Sequence, residues 1–199
     1  MKKDKPIVPF PITPGCTVSQ LVERMAGTSF QARNLARGTD IWSRMLDGER
    51  TVFLGLAGAM VPAGMRKVMA HAIEHRLIDC LVSTGANLVH DLHETLGRFH
   101  LQGDSMADDR ELAQSEIYRI YDTFLDQREF DRTENFIIDF STTLERDRPY
   151  TTREFFYRLG TEVSKQSKET GIITAAARAG VPIYCPAIVD SMYGTGLAD

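Results

Sequence analysis

An α/β fold with a parallel sheet follows from three observations on this sequence. Three short apolar runs, at residues 51–54, 78–82 and 181–184, have the length and continuity of strands buried on both faces. A glycine-rich turn and a helix-patterned stretch join the first two, which makes a βαβ unit with the usual right-handed crossover. Each run ends in small residues or proline, and polar residues cluster just beyond.

The elements can be justified in chain order. Residues 1–16 carry Pro6, Pro9, Pro11 and Pro14, a density that blocks helix and favours an extended arm. The arm reads either as a disordered tail or as a strap on a partner subunit, and residues 17–199 read as one α/β domain. Thr17 or Ser19 can cap a helix starting near Val18, with Leu21, Val22 and Met25 on one face. Gly27 and Thr28 break it. A second helix is expected from Phe30 to Leu46, stopped by Asp47-Gly48. After the first strand, 55–64 form a glycine-rich turn with Pro62 at a helix start. A helix of about four turns is expected to follow to Leu77, with Met65, Val68, Met69, Ala72 and Ile73 as its apolar stripe.

The second strand opens into Thr84-Gly85-Ala86-Asn87-Leu88-Val89-His90-Asp91, which reads as a ligand loop, with helix from Leu88 to Phe99. From 103 to 134 the chain holds ten acidic against four basic residues, so this part reads as a solvated helical insertion or as a field that attracts a cation. Helices are expected at 134–144, at 151–163 with a threonine N-cap, and at 171–179, closed by Gly180. The third strand feeds Cys185-Pro186-Ala187-Ile188-Val189-Asp190 and a glycine-rich Gly194-Thr195-Gly196 loop.

Composition narrows the function. The 199 residues carry a net charge of -4, so there is no basic footprint for nucleic acid. No apolar run approaches the ~20 residues a membrane-crossing helix needs. Three widely spaced cysteines, Cys16, Cys80 and Cys185, suit a reducing, cytoplasmic setting, and the last two read as packing residues. His71 and His75, and His90 and His93, have spacings that can bind zinc, but no motif places a third ligand, so no metal is expected. In a parallel sheet the carboxyl ends of all three strands share one edge. The loops at 55–64, 83–91 and 186–195 would converge there on a cleft. Their glycines expose backbone N–H groups, which points to a nucleotide or dinucleotide. The spacing of Gly55, Gly58 and Gly64 is not the G-x-G-x-x-G pattern, and a packing role for them is equally open.

Taken together, residues 53–66, 83–91 and 186–190 resemble the deoxyhypusine synthase family, over a stretch from about Trp42 to the last residue. The T-G-A-N and His-Asp pattern looks like its archaeal and bacterial branch. The resemblance implies a Rossmann-like α/β fold that binds NAD, incomplete without the family's C-terminal part, and a tetramer with active sites between subunits. It implies a transferase moving an aminobutyl group from spermidine or a related polyamine to a lysine of a hypusine-type translation factor, or to a small amine as in homospermidine synthesis. Under the same resemblance Gly58, Ala59, Met60, Val61, Pro62, Thr84, Gly85, Ala86, His90 and Asp190 would contact NAD. Val89, His90 and Thr195 would line the amine pocket, Val89 and Thr195 standing where eukaryotic members have acids. Ala59 and Pro62 replace polar cofactor contacts. His90 stands where many members have a glutamate and is the candidate proton carrier, since free histidine titrates near neutral pH. The family's catalytic lysine would fall beyond Asp199, so this chain would supply the NAD-binding portion, either as a fragment of a longer protein or with a second chain carrying the rest. Alternatively it is an inactive NAD-binding scaffold subunit of a hetero-oligomer.

Overall fold

A computed structural model describes residues 5–198. They fall into two compact units, divided between residues 50 and 51.

The first unit is a helical hairpin. α1 (Val18–Met25) starts from a reciprocal cap: Thr17 Oγ1 accepts from Gln20 N at 3.2 Å, and Thr17 N donates to Gln20 Oε1 at 3.1 Å. α2 (Phe30–Leu46) runs to Asp47, as expected. The described part of the proline arm lies on this hairpin of its own chain. Val8 N donates to Gly27 O at 2.9 Å, and Arg24 donates to Pro11 O at 3.1 Å.

The second unit holds the parallel sheet, in the order β1 (Phe53–Leu56), β2 (Cys80–Ser83), β6 (Ile183–Tyr184). Leu54 pairs with Leu81, and Leu81 with Ile183, so all three carboxyl ends share one edge. The strands sit one to two residues later than the apolar runs suggested. β1 is also not buried on both faces. It is an edge strand, and Phe53 is 64% exposed. An unbroken apolar run reports β-propensity as well as burial, and the two cannot be separated by periodicity alone.

The four-turn helix after β1 is split. Residues Val61–Met65 form a wide turn in which Gly64 takes φ 88°, and a regular α3 covers only Arg66–Glu74. The kink resets the helical phase, so Arg66, Ala70, Ala72 and Ile73 face inward while Val68 is exposed. α4 (Gly85–Thr95) begins at Gly85, three residues earlier than expected, so most of the supposed ligand loop is the first two turns of a helix.

The largest departure lies between 101 and 126. In place of a helical insertion, β3 (Leu101–Gln102), β4 (Ile117–Ile120) and β5 (Thr123–Asp126) form an antiparallel sheet in the order β3-β5-β4, and only α5 (Asp109–Gln114) is helical. The hairpin turns through Tyr121 with φ 57°, a left-handed conformation at a residue with no turn signature.

α6 (Gln127–Thr142) follows at once, capped by Asp126, whose carboxylate accepts from Glu129 N at 3.0 Å. α7 (Thr152–Gln166), capped by Thr151, packs on α8 (Ile172–Ala179), which Gly180 closes at φ 65°. The glycine-rich stretch at 194–196 is not a loop either. It lies within α9 (Met192–Ala198). A Cβ on Gly194 would come within 2.5 Å of Val189 Cα, and one on Gly196 within 3.3 Å of Ile137 on α6. These glycines serve helix packing, not phosphate. Tyr193 of the same helix is fully buried in an edge-to-face cluster with Phe155 and Phe156. Among the described residues no helix is long and apolar enough to cross a membrane.

Candidate active site

The carboxyl edge of the parallel sheet is assembled by one buried side chain that the sequence reading passed over. Asn87, on the first turn of α4, is 1% exposed. Its amide nitrogen donates to Gly58 O at 2.7 Å and to Thr84 Oγ1 at 3.1 Å. Its amide oxygen accepts from Val61 N at 3.2 Å. One residue therefore ties the loop after β1 to the start of α4. Thr84 N adds a bond to Leu56 O at 3.1 Å.

The third loop is fitted by shape. A Cβ on Gly85 would lie 2.2 Å from Ser191 Oγ and 3.5 Å from Ile188 O. Glycine there lets residues 188–191 close onto the first turn of α4. The three loops thus converge as the parallel sheet requires, and Gly85 is spent on their packing.

The residues named from the sequence separate by exposure. Gly58, Ala59, Met60, Thr84, Ala86 and Asp190 are exposed along this edge. Val61, Pro62, Gly85 and Val89 are covered by the protein itself, so their side chains belong to the core. Thr195 is exposed on α9, and its hydroxyl donates to Glu134 Oε1 at 2.9 Å, which sets a carboxylate from α6 against it. Asp91 turns away from the edge. It is fully buried, and its oxygens accept from Ile172 N at 2.6 Å and Ile173 N at 2.9 Å, capping α8. Burial raises its carboxyl to about 6, against the pull of those two N–H donors.

His90 is half-buried at the second turn of α4, stacked on Phe130 of α6 with ring centroids 5.3 Å apart and 20° between planes. Burial, then the neighbouring His100 and His93, lower its pKa to about 3. This corrects the expectation of a free imidazole titrating near neutral pH: His90 is neutral, with one ring N–H and one bare nitrogen. His100 returns to α4 because Gly97, at φ 83°, reverses the chain after the helix. Glycine at a helix end followed three residues later by histidine is a signal the sequence carried. His93 is fully buried, with Nδ1 2.9 Å from Thr133 Oγ1, and burial leads its fall to about 4. Cys80 and Cys185 are buried and their thiols raised by burial, which suits packing, not nucleophilic work.

This edge fits a dinucleotide. The eleven-residue α4 starts at it, and the side chain of its N-cap, Thr84, makes no capping bond to the first turn. Those N–H groups and the helix dipole suit a pyrophosphate. Gly58, at φ 70°, would have nothing within 4 Å of a Cβ, so its backbone stands open to an approaching group. Asp190 is exposed at the same edge, and a carboxylate has the chemistry to accept from ribose hydroxyls.

Comparison with known proteins agrees with this architecture. The family model for deoxyhypusine synthase matches residues 20–198. A probable deoxyhypusine synthase 2 of Methanosarcina acetivorans is 45% identical over 196 residues, covering 98% of this chain and 56% of the relative. A probable deoxyhypusine synthase 1 of Archaeoglobus fulgidus is 40% identical over 180 residues, covering 90% of this chain and 58% of the relative. A deoxyhypusine synthase-like protein of Coxiella burnetii is 38% identical over 181 residues, covering 89% and 51%. The chain thus spans about half the length of the curated relatives it matches. Its fold is shared with the crystal structure of an Entamoeba histolytica protein assigned to deoxyhypusine synthase, at a TM-score of 0.68 and 21% identity, over 92% of this chain and 63% of the other.

Proposed function

This chain belongs to the deoxyhypusine synthase family, and from that premise we propose that it is the NAD-binding portion of a transferase that moves an aminobutyl group from spermidine or a related polyamine to a lysine or amine acceptor. The observation that carries the reading is the Asn87 clamp. It holds an open glycine loop and a helix N-terminus that its N-cap side chain leaves uncapped at one sheet edge, with the exposed Asp190 in the third loop of that edge. When bound there, NAD supplies a hydride acceptor for the carbon next to the amine.

The protein's own groups bind and orient. The first-turn N–H groups of α4 hold the pyrophosphate, Asp190 holds a ribose, and Gly58 lets the backbone come close. A polyamine is a multiply charged cation whose partly desolvated nitrogens need a carboxylate. Glu134, set against Thr195, supplies one where Thr195 itself carries none. His90, kept neutral, faces the amine as an acceptor. A protein lysine on a hypusine-type factor remains the acceptor that the family suggests, and assembly as a homo- or hetero-tetramer belongs to the same reading.

Calorimetric titration with NAD tests the cofactor. Saturable binding is expected, weakened at least tenfold by Asp190→Ala, which is about 1.4 kcal/mol. No heat at millimolar NAD, either alone or with polypeptide covering the remaining length of the relatives, would overturn the reading. With spermidine and NAD, mass spectrometry should find released diaminopropane once that polypeptide is supplied.

A further inference from the structure

Arg66, Glu94, His100 and His90 form one unbroken line of polar contacts. Arg66 Nε lies 2.7 Å from Glu94 Oε2. His100 Nδ1 lies 2.6 Å from Glu94 Oε1, and His100 Nε2 lies 2.9 Å from His90 Nδ1. Each link dictates the next. Burial works against the Glu94 charge, but the hydrogen bond from His100 and the charge of Arg66 outweigh it and hold the carboxyl below its usual range. A carboxylate only accepts, so His100 must present an N–H at Nδ1. Neutral His100 then has its lone pair at Nε2, and His90 must present Nδ1–H to it. That leaves the Nε2 of His90 as an acceptor, and no hydrogen bond to it is formed among the described residues.

We propose that this line is a proton relay, resting on the amine-transfer reading above, in which His90 is the contact and His100 the store. The substrate's N–H bond breaks as a new N–H forms at His90 Nε2. The His90 Nδ1–H bond breaks as one forms at His100 Nε2. His90 ends neutral with its proton on the other nitrogen. The added charge rests on the His100 imidazolium beside ionised Glu94, with Arg66 fixing that carboxylate. Arg66, Glu94 and His100 are positioning residues, while His90 touches the amine.

The surroundings favour this order of charging. The groups facing the two imidazoles are Arg66 from α3, His93 and Glu94 from α4, Arg98 from the turn after it, and Glu129 from α6, which is 3.3 Å from Arg98. Among the described residues only Glu94 places a negative charge in hydrogen-bond contact with either ring, and it touches His100. A proton left on His90 would face the His100 and His93 imidazoles and the Phe130 ring, with the Glu94 charge acting on it without a hydrogen bond. His100 also borders a groove of about 610 Å³ with Pro62, Gly64, Leu101 and Asp122, a route by which its proton reaches solvent.

Nitrogen-15 NMR of the histidines, in the full chain without NAD or amine, tests the relay. At pH 7.5, His90 is expected to be protonated at Nδ1 and bare at Nε2. On acidification His100 should gain its second proton first. At that same midpoint His90 should switch to Nε2–H and stay neutral. His100→Phe should abolish the switch. His90 bare at Nδ1 at pH 7.5, or charging before His100, would overturn the relay. The wild-type titration decides the matter even where a variant fails to fold. A missing switch with NAD binding intact sinks the relay alone. An intact switch without NAD binding sinks the transferase reading, and with it the amine as proton source.

Discussion

Asn87 carries the architecture of the site in a single side chain. Replacing it with alanine leaves Val61 N without its partner in a buried place and releases Gly58 O in the exposed loop. An unsatisfied buried group costs about 1–3 kcal/mol, and in a chain of this size each kcal/mol lowers the melting temperature by about 2–4 °C. A thermal melt of Asn87→Ala should show that drop, together with weaker NAD binding, because the two loops come apart. Charge at single residues also sets how stability responds to pH. His90 and His93 are depressed to about 3 and about 4, so the stability they contribute is full above their unfolded pKa of about 6.5 and is lost as pH falls toward those values. Asp91 is raised to about 6, so its contribution is present below the unfolded value and is lost as pH rises through 6. Between about pH 5 and 6 the two effects oppose, and unfolding should take up about one net proton from these three groups. In Asp91→Asn the opposing term is gone and the uptake should rise to about two. Urea melts across that window read the slope directly, and an unchanged slope would contradict the placement of Asp91.

At the level of elements, small residues decide which pieces can approach. A Cβ on Gly160 of α7 would lie 2.5 Å from Ile173 O and 2.8 Å from Ala177 Cβ on α8. The backbone oxygen cannot move aside cheaply, so Gly160→Ala should cost about 1–3 kcal/mol as overpacking. Gly55 of β1 has nothing within 4 Å of the same position, so Gly55→Ala should leave stability within about 1 kcal/mol of the parent. The contrast between paired melts checks that packing, and not glycine as such, sets the cost. The same distinction explains what could be read from the sequence. α1, α2, α7 and α8 carry caps and stops that act locally, so Thr17, Thr151 and Gly180 announced them. The three parallel strands were legible because apolar runs ending in small residues are also a local pattern. The 101–126 hairpin was not. Its strands are four residues or fewer, its acids resemble a solvated helix, and its turn rests on Tyr121 in a conformation only pairing can hold. The helical stripe after β1 held at Ala72 and Ile73 and failed at Val68, beyond the kink at Gly64. In the site, exposed loop residues could be named from the sequence, but Asn87 and His100 act across 26–29 and 6–10 residues, and such contacts have no period to betray them.

The first unit poses its question at the scale of the whole molecule. Among its described residues α1 has no buried side chain and α2 has one, Ala36. Phe30 is 89% exposed, Leu35 55% and Ile41 42%. A two-helix hairpin with a single buried residue has no core of its own, and exposed apolar faces of this kind mark contact surfaces. The tetrameric reading supplies the occupant: a second copy of the same hairpin, which under two-fold symmetry presents the same stripe to itself. Light scattering behind a sizing column should therefore give a mass above one chain at micromolar concentration. Leu35→Asp with Ile41→Asp should move it toward one chain while leaving NAD binding in place, since the residues named for the cleft all belong to the second unit. A wild-type monomer at tens of micromolar would remove the self-association argument. Loss of NAD binding in the double variant would mean instead that the hairpin contributes to the cleft, and that the two roles are not separable.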